Sequence, residues 1–484
     1  MSIYKLRQET ILWIGIIFSL LISTTILIKY AHINPLIHPE KISNLTFLWD
    51  KSIPDYKKLF SSCTVDACIG RVRPLNYTLE FLDAVYLESV FKATGNISWK
   101  PLSNYIIILF APIIFFFSNK KNPIAALIIS TLFFTSFEFI SNFYNYFRPG
   151  KEFSLLLLIP ALSIIFSNDF RKNTKSRIAL LLLIASCLLD EQIIFLTAFF
   201  GAAYFVYGES NKKINLYTKT LLTVLIIYLV IIFFEGTNPF VTAKYLKNDA
   251  YTDYHHIAER FGWFFKNSPK LFFEFIYFEF LGSKTLAWIV VSIMTLYIFL
   301  GKYIFSLIKK KNENSYIKSI LKYYSQEQTA IFNAKILLGS IVFIWAVSSL
   351  FHSAIVIGQK QGLAYYMIIP SFIFIYTFYL AIAAPLEKYL ENITVVLAIP
   401  LIIASITFCN FKAINHELIW VNGVYADVKA SISNRKRHDF QSWQSGATFT
   451  EVSNLNCDYT ELNLNSIEKN IFIDKICSFK NTSR

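Results

Sequence analysis

Two cysteines, an aspartate and an Arg-x-Arg-Pro fall within one short stretch, CTVDACIGRVRPLNY, running from Cys63 to Tyr77. Carboxylates and guanidiniums so close together suit a group transfer in which a phosphate departs. A carboxylate deprotonates the incoming hydroxyl or holds a divalent metal such as Mg, and cations stabilise the charge developing on the phosphate. Asp50, Asp55 and Asp66 are candidates for the first role. Arg71 and Arg73 suit the second, because arginine makes planar bidentate contacts to phosphate and Pro74 stiffens the backbone directly behind them. Further groups that can converge on the same anion are Arg148 in FRPGKE, His255 and His256 before an aromatic-rich segment, and His352 with Lys360.

The elements that must position these residues follow from composition. The 484-residue chain is 55% hydrophobic and only 16% charged, too apolar for a soluble protein of this length. Its Ile, Phe, Leu and Tyr residues cluster in runs of about 16 to 23, long enough to cross a hydrocarbon layer as helices. The expected fold is an all-α polytopic membrane protein, since closed helices satisfy their own backbone in lipid. Spans are expected near 11–28, 104–118, 123–141, 153–166, 178–189, 192–207, 217–234, 285–303, 336–351, 365–384 and 392–409, about eleven in all. With the N-terminus cytoplasmic, the inner connections SNKKN, SNDFRKNTKSR, GESNKKINLYTK, KKKNENSYIKSILKYY and PLEKYLEN carry most of the Lys and Arg. The net charge of +14 is then an orientation signal, with no nucleic-acid partner implied. The first span, flanked by Lys5 and Arg7 and followed by no small-x-small cleavage site, reads as a retained signal anchor.

This orientation places residues 29–103, residues 235–284 and a tail from 410 to 484 on the exterior, leaving a bundle over 1–409 and a small exterior C-terminal subdomain over 410–484. Cys63, Cys68, Cys457 and Cys477 all fall in exterior segments, where an oxidising compartment favours disulfides. Cys63 with Cys68 and Cys457 with Cys477 is the more economical pairing. Zinc is the rival reading of these cysteines, disfavoured because no Cys-x-x-Cys and no nearby histidine pair accompanies them. After Pro74, Leu79, Leu82, Val85, Tyr86 and Val90 share one helical face while Glu80, Asp83 and Glu88 lie off it, the pattern of an interfacial amphipathic helix. The aromatic-rich 255–282 segment repeats that character, so both loops are expected to meet membrane lipids at the headgroup level.

Acidic residues inside apolar runs mark either turns or cavities. Asp190 and Glu191 interrupt IALLLLIASCLLDEQIIFLTAFFGAAYF, which two short helices meeting at an outer turn would explain, and Glu138 lies within the third span. Asp190 and Glu191 can serve merely as a helix cap, or they can line a cavity.

A signal anchor, a long first exterior loop with acidic residues, a multi-span bundle with one helical break and a C-terminal exterior segment together resemble the type C integral-membrane glycosyltransferases. GRVRPLNY is similar to the Arg-Pro-Leu element that follows the acidic region in some bacterial members and in mannosyltransferases carrying tetratricopeptide repeats. The resemblance covers residues 1–410 in architecture and 50–77 in motif. It implies a polyprenyl-phosphate-linked sugar donor, a glycan or lipid acceptor and an essential acid in the first exterior loop. The adjacent acidic pair usual in that loop is absent here, so the role falls to Asp66, nearest the arginines, or to Asp50, nearer the first span. A polysaccharide polymerase or ligase of the O-antigen type, a lipid-linked sugar flippase or transporter, and a non-catalytic assembly factor are the rival classes. The Lys, Asn, Ile and Phe usage points to a bacterial inner membrane.

Overall fold

The computed structural model describes residues 3–30, 73–94, 100–136, 139–140, 149–167, 170, 173–207, 211–235, 332–341 and 368–377, with scattered positions at 292, 343–344, 379–380 and within 401–415. Among these residues there is no strand. The helices are α1 (Ile3–Tyr30), α2 (Pro74–Thr94), α3 (Leu102–Ser118), α4 (Pro123–Phe134), α5 (Pro149–Phe166), α6 (Asn173–Leu189), α7 (Glu191–Val206), α8 (Asn211–Glu235), α9 (Phe332–Ile341) and α10 (Ile368–Thr377). Three of them contain a stretch long and apolar enough to cross a membrane: Trp13–Tyr30, Pro149–Phe166 and Asn211–Ile231. The spans expected near 11–28, 104–118, 153–166, 178–189, 192–207 and 217–234 each coincide with a helix, whereas the span expected near 285–303 lies, apart from position 292, outside the described residues.

Helix α1 packs on α3 and α4, and meets α3 through small residues along one face. Gly15 sits against the Phe116 ring, where a Cβ would come within 2.0 Å of the ring carbon Cζ. Two turns further on, Ser23 donates its hydroxyl to the Ile108 carbonyl of α3 at 2.7 Å. Small residues let the two backbones approach, which is how apolar helices associate where lipid competes for every larger side chain. The other face of α1 exposes Trp13, Ile17 and Ile28, and α8 exposes Leu222, Ile226 and Leu229. Apolar surface of this extent fits a hydrocarbon solvent and would be a liability in water.

The expected third span, 123–141, is interrupted. Helix α4 ends at Phe134; Thr135 and Ser136 form a turn; and the Ser136 hydroxyl accepts from the Phe139 N–H, starting a new helical turn. A short hydroxyl side chain offers the backbone this alternative to continuing the helix. Helix α10 is joined to the α3–α4 connection by Tyr376, whose hydroxyl donates to Asn119 Oδ1 at 3.3 Å, and by the packing of Phe372 and Tyr376 around Phe115.

A polar cluster closes one end of the α7–α8 pair. Lys213, read from sequence as an orientation signal, is buried: its ammonium lies 4.8 Å from the Tyr204 ring centre and donates to the Tyr204 hydroxyl. That hydroxyl in turn donates to Asn333 Oδ1 of α9 at 2.6 Å. The ring faces substitute for part of the water the ammonium has given up.

Helix α2 carries the expected periodicity but turns its polar side inward. Leu82 and Val85 are exposed, and Asn76, Glu80 and Asp83 are buried together with Tyr77, Phe81 and Ala84. For Asp83 the burial is chemically satisfied. Asp83 accepts from the backbone N–H of Ser103 at 2.8 Å and from its hydroxyl, capping α3 from a neighbouring element. Lys100, fully buried just ahead of α3, has its ammonium pKa lowered to about 7 by desolvation. Between pH 7 and the ordinary lysine value the unfolded chain binds a proton that the folded one does not, so stability rises with pH over that window and is flat below it. Lys100→Met is expected to remove that rise, as read from unfolding midpoints in detergent at pH 7 to 10. An equal pH slope in both proteins would contradict the assignment.

Candidate functional site

Buried Arg73, Lys151 and Asp190 gather where α2 begins, α5 begins and α6 gives way to α7. Asp190 is the junction. Its backbone is extended (φ −149°, ψ 133°), and its side chain accepts from the Gln192 N–H at 2.9 Å as the N-cap of α7. The chain reverses here, because Cys187 Sγ lies 3.6 Å from the Thr197 hydroxyl ten residues later. In one continuous helix those residues would stand about 15 Å apart. Two helices meet at Asp190–Glu191 as expected, and Asp190 fills the cap role, its carboxylate also facing a buried charge.

That charge is Lys151, in the first turn of α5. Its ammonium stands 3.1 Å from Asp190 Oδ2 and donates to Gln192 Oε1 at 2.9 Å. Both side chains of the pair are nearly sealed, 2% exposed for Lys151 and 1% for Asp190. The approach of α5 to this junction depends on Gly150. A Cβ there would meet Asn76 Oδ1 at 2.4 Å and the Leu189 carbonyl oxygen at 2.8 Å, so only glycine lets α2, α5 and the end of α6 come this close. Ser186 adds a bond from α6 to the Ser154 carbonyl of α5 at 2.9 Å.

The second pair joins the start of α2 to the start of α7. Arg73 immediately precedes α2, its carbonyl accepting from the Tyr77 N–H, and its guanidinium donates to Glu191 at the start of α7. The arginine side chain is 4% exposed and the glutamate 29%, which leaves the glutamate as the outer member. Asn76, one turn into α2, donates to Glu80 at 3.2 Å and lines the same junction. On the far side, the Tyr228 hydroxyl of α8 donates to the Cys187 carbonyl at 3.4 Å.

Of the residues expected from sequence, the structure thus brings together Arg73, Asp190 and Glu191, which lie 118 residues apart for the Arg73–Glu191 pair. Asp50, Asp55, Asp66, Arg71, Glu138, Arg148, His255, His256, His352 and Lys360 lie outside the described residues, as do Cys63, Cys68, Cys457 and Cys477. Among the described residues no three His, Cys, Asp or Glu side chains group in a way that could hold a metal ion. Lys151 and Gln192 are members that sequence reasoning passed over. The signal was present, since Lys151 and Glu152 abut the apolar run FSLLLLIPALSIIF and therefore fall inside the first turn of its helix.

Chemically the junction offers two cations, one sealed and structural, the other covered by a partly exposed carboxylate. An arginine held rigidly by its surroundings is suited to bind phosphate oxygens. No family model matches the chain, and no curated protein matches it significantly.

Proposed function

We propose that the chain is a membrane glycosyltransferase that moves a sugar from a polyprenyl-phosphate-linked donor to a glycan or lipid acceptor on the exterior face. The observation that carries this reading is the burial of Arg73, which falls in the segment 29–103 read as the first exterior loop, against the helical break at Asp190–Glu191. A first-loop arginine and the acids of the break meet at one end of the bundle, where a lipid phosphate at the interface would arrive. In this reading about eleven spans cross the membrane with the N-terminus cytoplasmic and the C-terminal segment outside. Asp66 or Asp50 activates the acceptor hydroxyl, with or without a divalent metal, and Arg71 and Arg73 stabilise the departing polyprenyl phosphate.

The glycan profile of a strain lacking the chain tests the class. Loss of one side-chain sugar is the expected result. A shortened polymer would indicate a polymerase instead, and accumulation of an intact lipid-linked intermediate would indicate a flippase.

A further inference from the structure

The two adjacent acids of the break are built differently. Asp190 is sealed, held by the Lys151 ammonium and by the Gln192 N–H, and cannot leave without uncapping α7. Glu191 is 29% exposed and covers the guanidinium of an arginine that is itself 4% exposed. One Glu191 carboxylate oxygen accepts from the Arg73 guanidinium, where a phosphate oxygen could accept instead. Its longer side chain can turn toward solvent without disturbing the cap beside it.

We infer that Glu191 is a latch on an anion site. Its carboxylate occupies Arg73 in the resting protein, and the phosphate of an incoming ligand displaces it, exchanging one ion pair for another with no covalent step. This rests on the reading that Arg73 receives a phosphate. Apparent affinity for the anion is then reduced by the fraction of time the latch is closed.

The experiment measures binding of farnesyl phosphate to the full chain in nanodiscs, with farnesol and inorganic phosphate as separate arms. Glu191→Gln keeps the shape and removes the charge, and is expected to bind farnesyl phosphate about tenfold more tightly than wild type. Glu191→Asp, which shortens the reach, is expected to gain less in the same direction and stands in should the glutamine variant misfold. Arg73→Gln is expected to lose binding, and farnesol to bind no variant more tightly than another. A gain confined to farnesyl phosphate supports a membrane-borne ligand; the same gain with inorganic phosphate supports the latch with a free phosphate as its source. Unchanged or weaker binding in both Glu191 variants, with Arg73→Gln still defective, overturns the latch and leaves the phosphate reading standing. Undiminished binding in Arg73→Gln, or no binding by any variant, overturns both.

Discussion

Asp190→Ala is expected to lower the unfolding free energy of the detergent-solubilised protein by about 3–5 kcal/mol, because it strips the partner from a buried ammonium. Lys151 cannot relax into water, since its side chain is 2% exposed. The same substitution removes the N-cap of α7, a loss of about 1 kcal/mol when taken alone. Asp190→Asn separates the two effects, keeping an oxygen for the Gln192 N–H while discarding the charge. The double replacement Asp190→Leu with Lys151→Met is expected to recover much of the loss, since a buried ion pair can often be exchanged for apolar residues of similar volume. Unfolding curves for wild type, Asp190→Leu, Lys151→Met and the double variant measure the coupling directly. A loss under about 1 kcal/mol for Asp190→Ala would mean that the pair is not sealed as described.

If the chain transfers sugar as proposed, Arg73→Gln is expected to cut that transfer about 10²- to 10³-fold, the size of effect found when one preorganised donor to a developing negative charge is removed. Arg73→Lys is expected to restore part of the rate, because a point charge returns without the planar fork. The defect belongs in the turnover number as well as in apparent affinity, since the leaving phosphate carries more charge in the transition state than in the bound donor. Initial rates against donor concentration, in membranes with matched amounts of folded protein, distinguish this from a packing defect. An unaltered turnover number with only a raised KM would confine Arg73 to ground-state binding.

How much of this arrangement the sequence declares differs from residue to residue. The break at Asp190–Glu191 was legible because two acids within a long apolar run have few physically acceptable places in a membrane protein. Arg73 was legible as a chemical type, a guanidinium ahead of a proline and a helix start. Its burial was not, because that depends on Glu191, 118 residues later, and pairing at that separation leaves no local pattern. The polar face of α2 shows the same limit. Helical periodicity correctly separates Leu82 and Val85 from Glu80 and Asp83, yet it does not say which face meets protein. Next to lipid the answer inverts, and buried acids find donors such as the Ser103 N–H while the apolar side faces outward. Gly150 gave no warning at all, since the need for a missing Cβ arises from the Asn76 side chain and the Leu189 carbonyl, which other elements bring to it.

The central claim is that an acid and an arginine of the first exterior loop act together on a lipid-linked sugar phosphate. Its most direct measurement is the release of polyprenyl phosphate from a panel of polyprenyl-phosphate-linked hexoses in proteoliposomes, comparing wild type with Asp66→Asn and Asp50→Asn proteins folded to the same extent. The account predicts release by wild type with at least one donor and its loss in one of the two aspartate variants. Full release by both variants, or none by wild type with any donor, would contradict it.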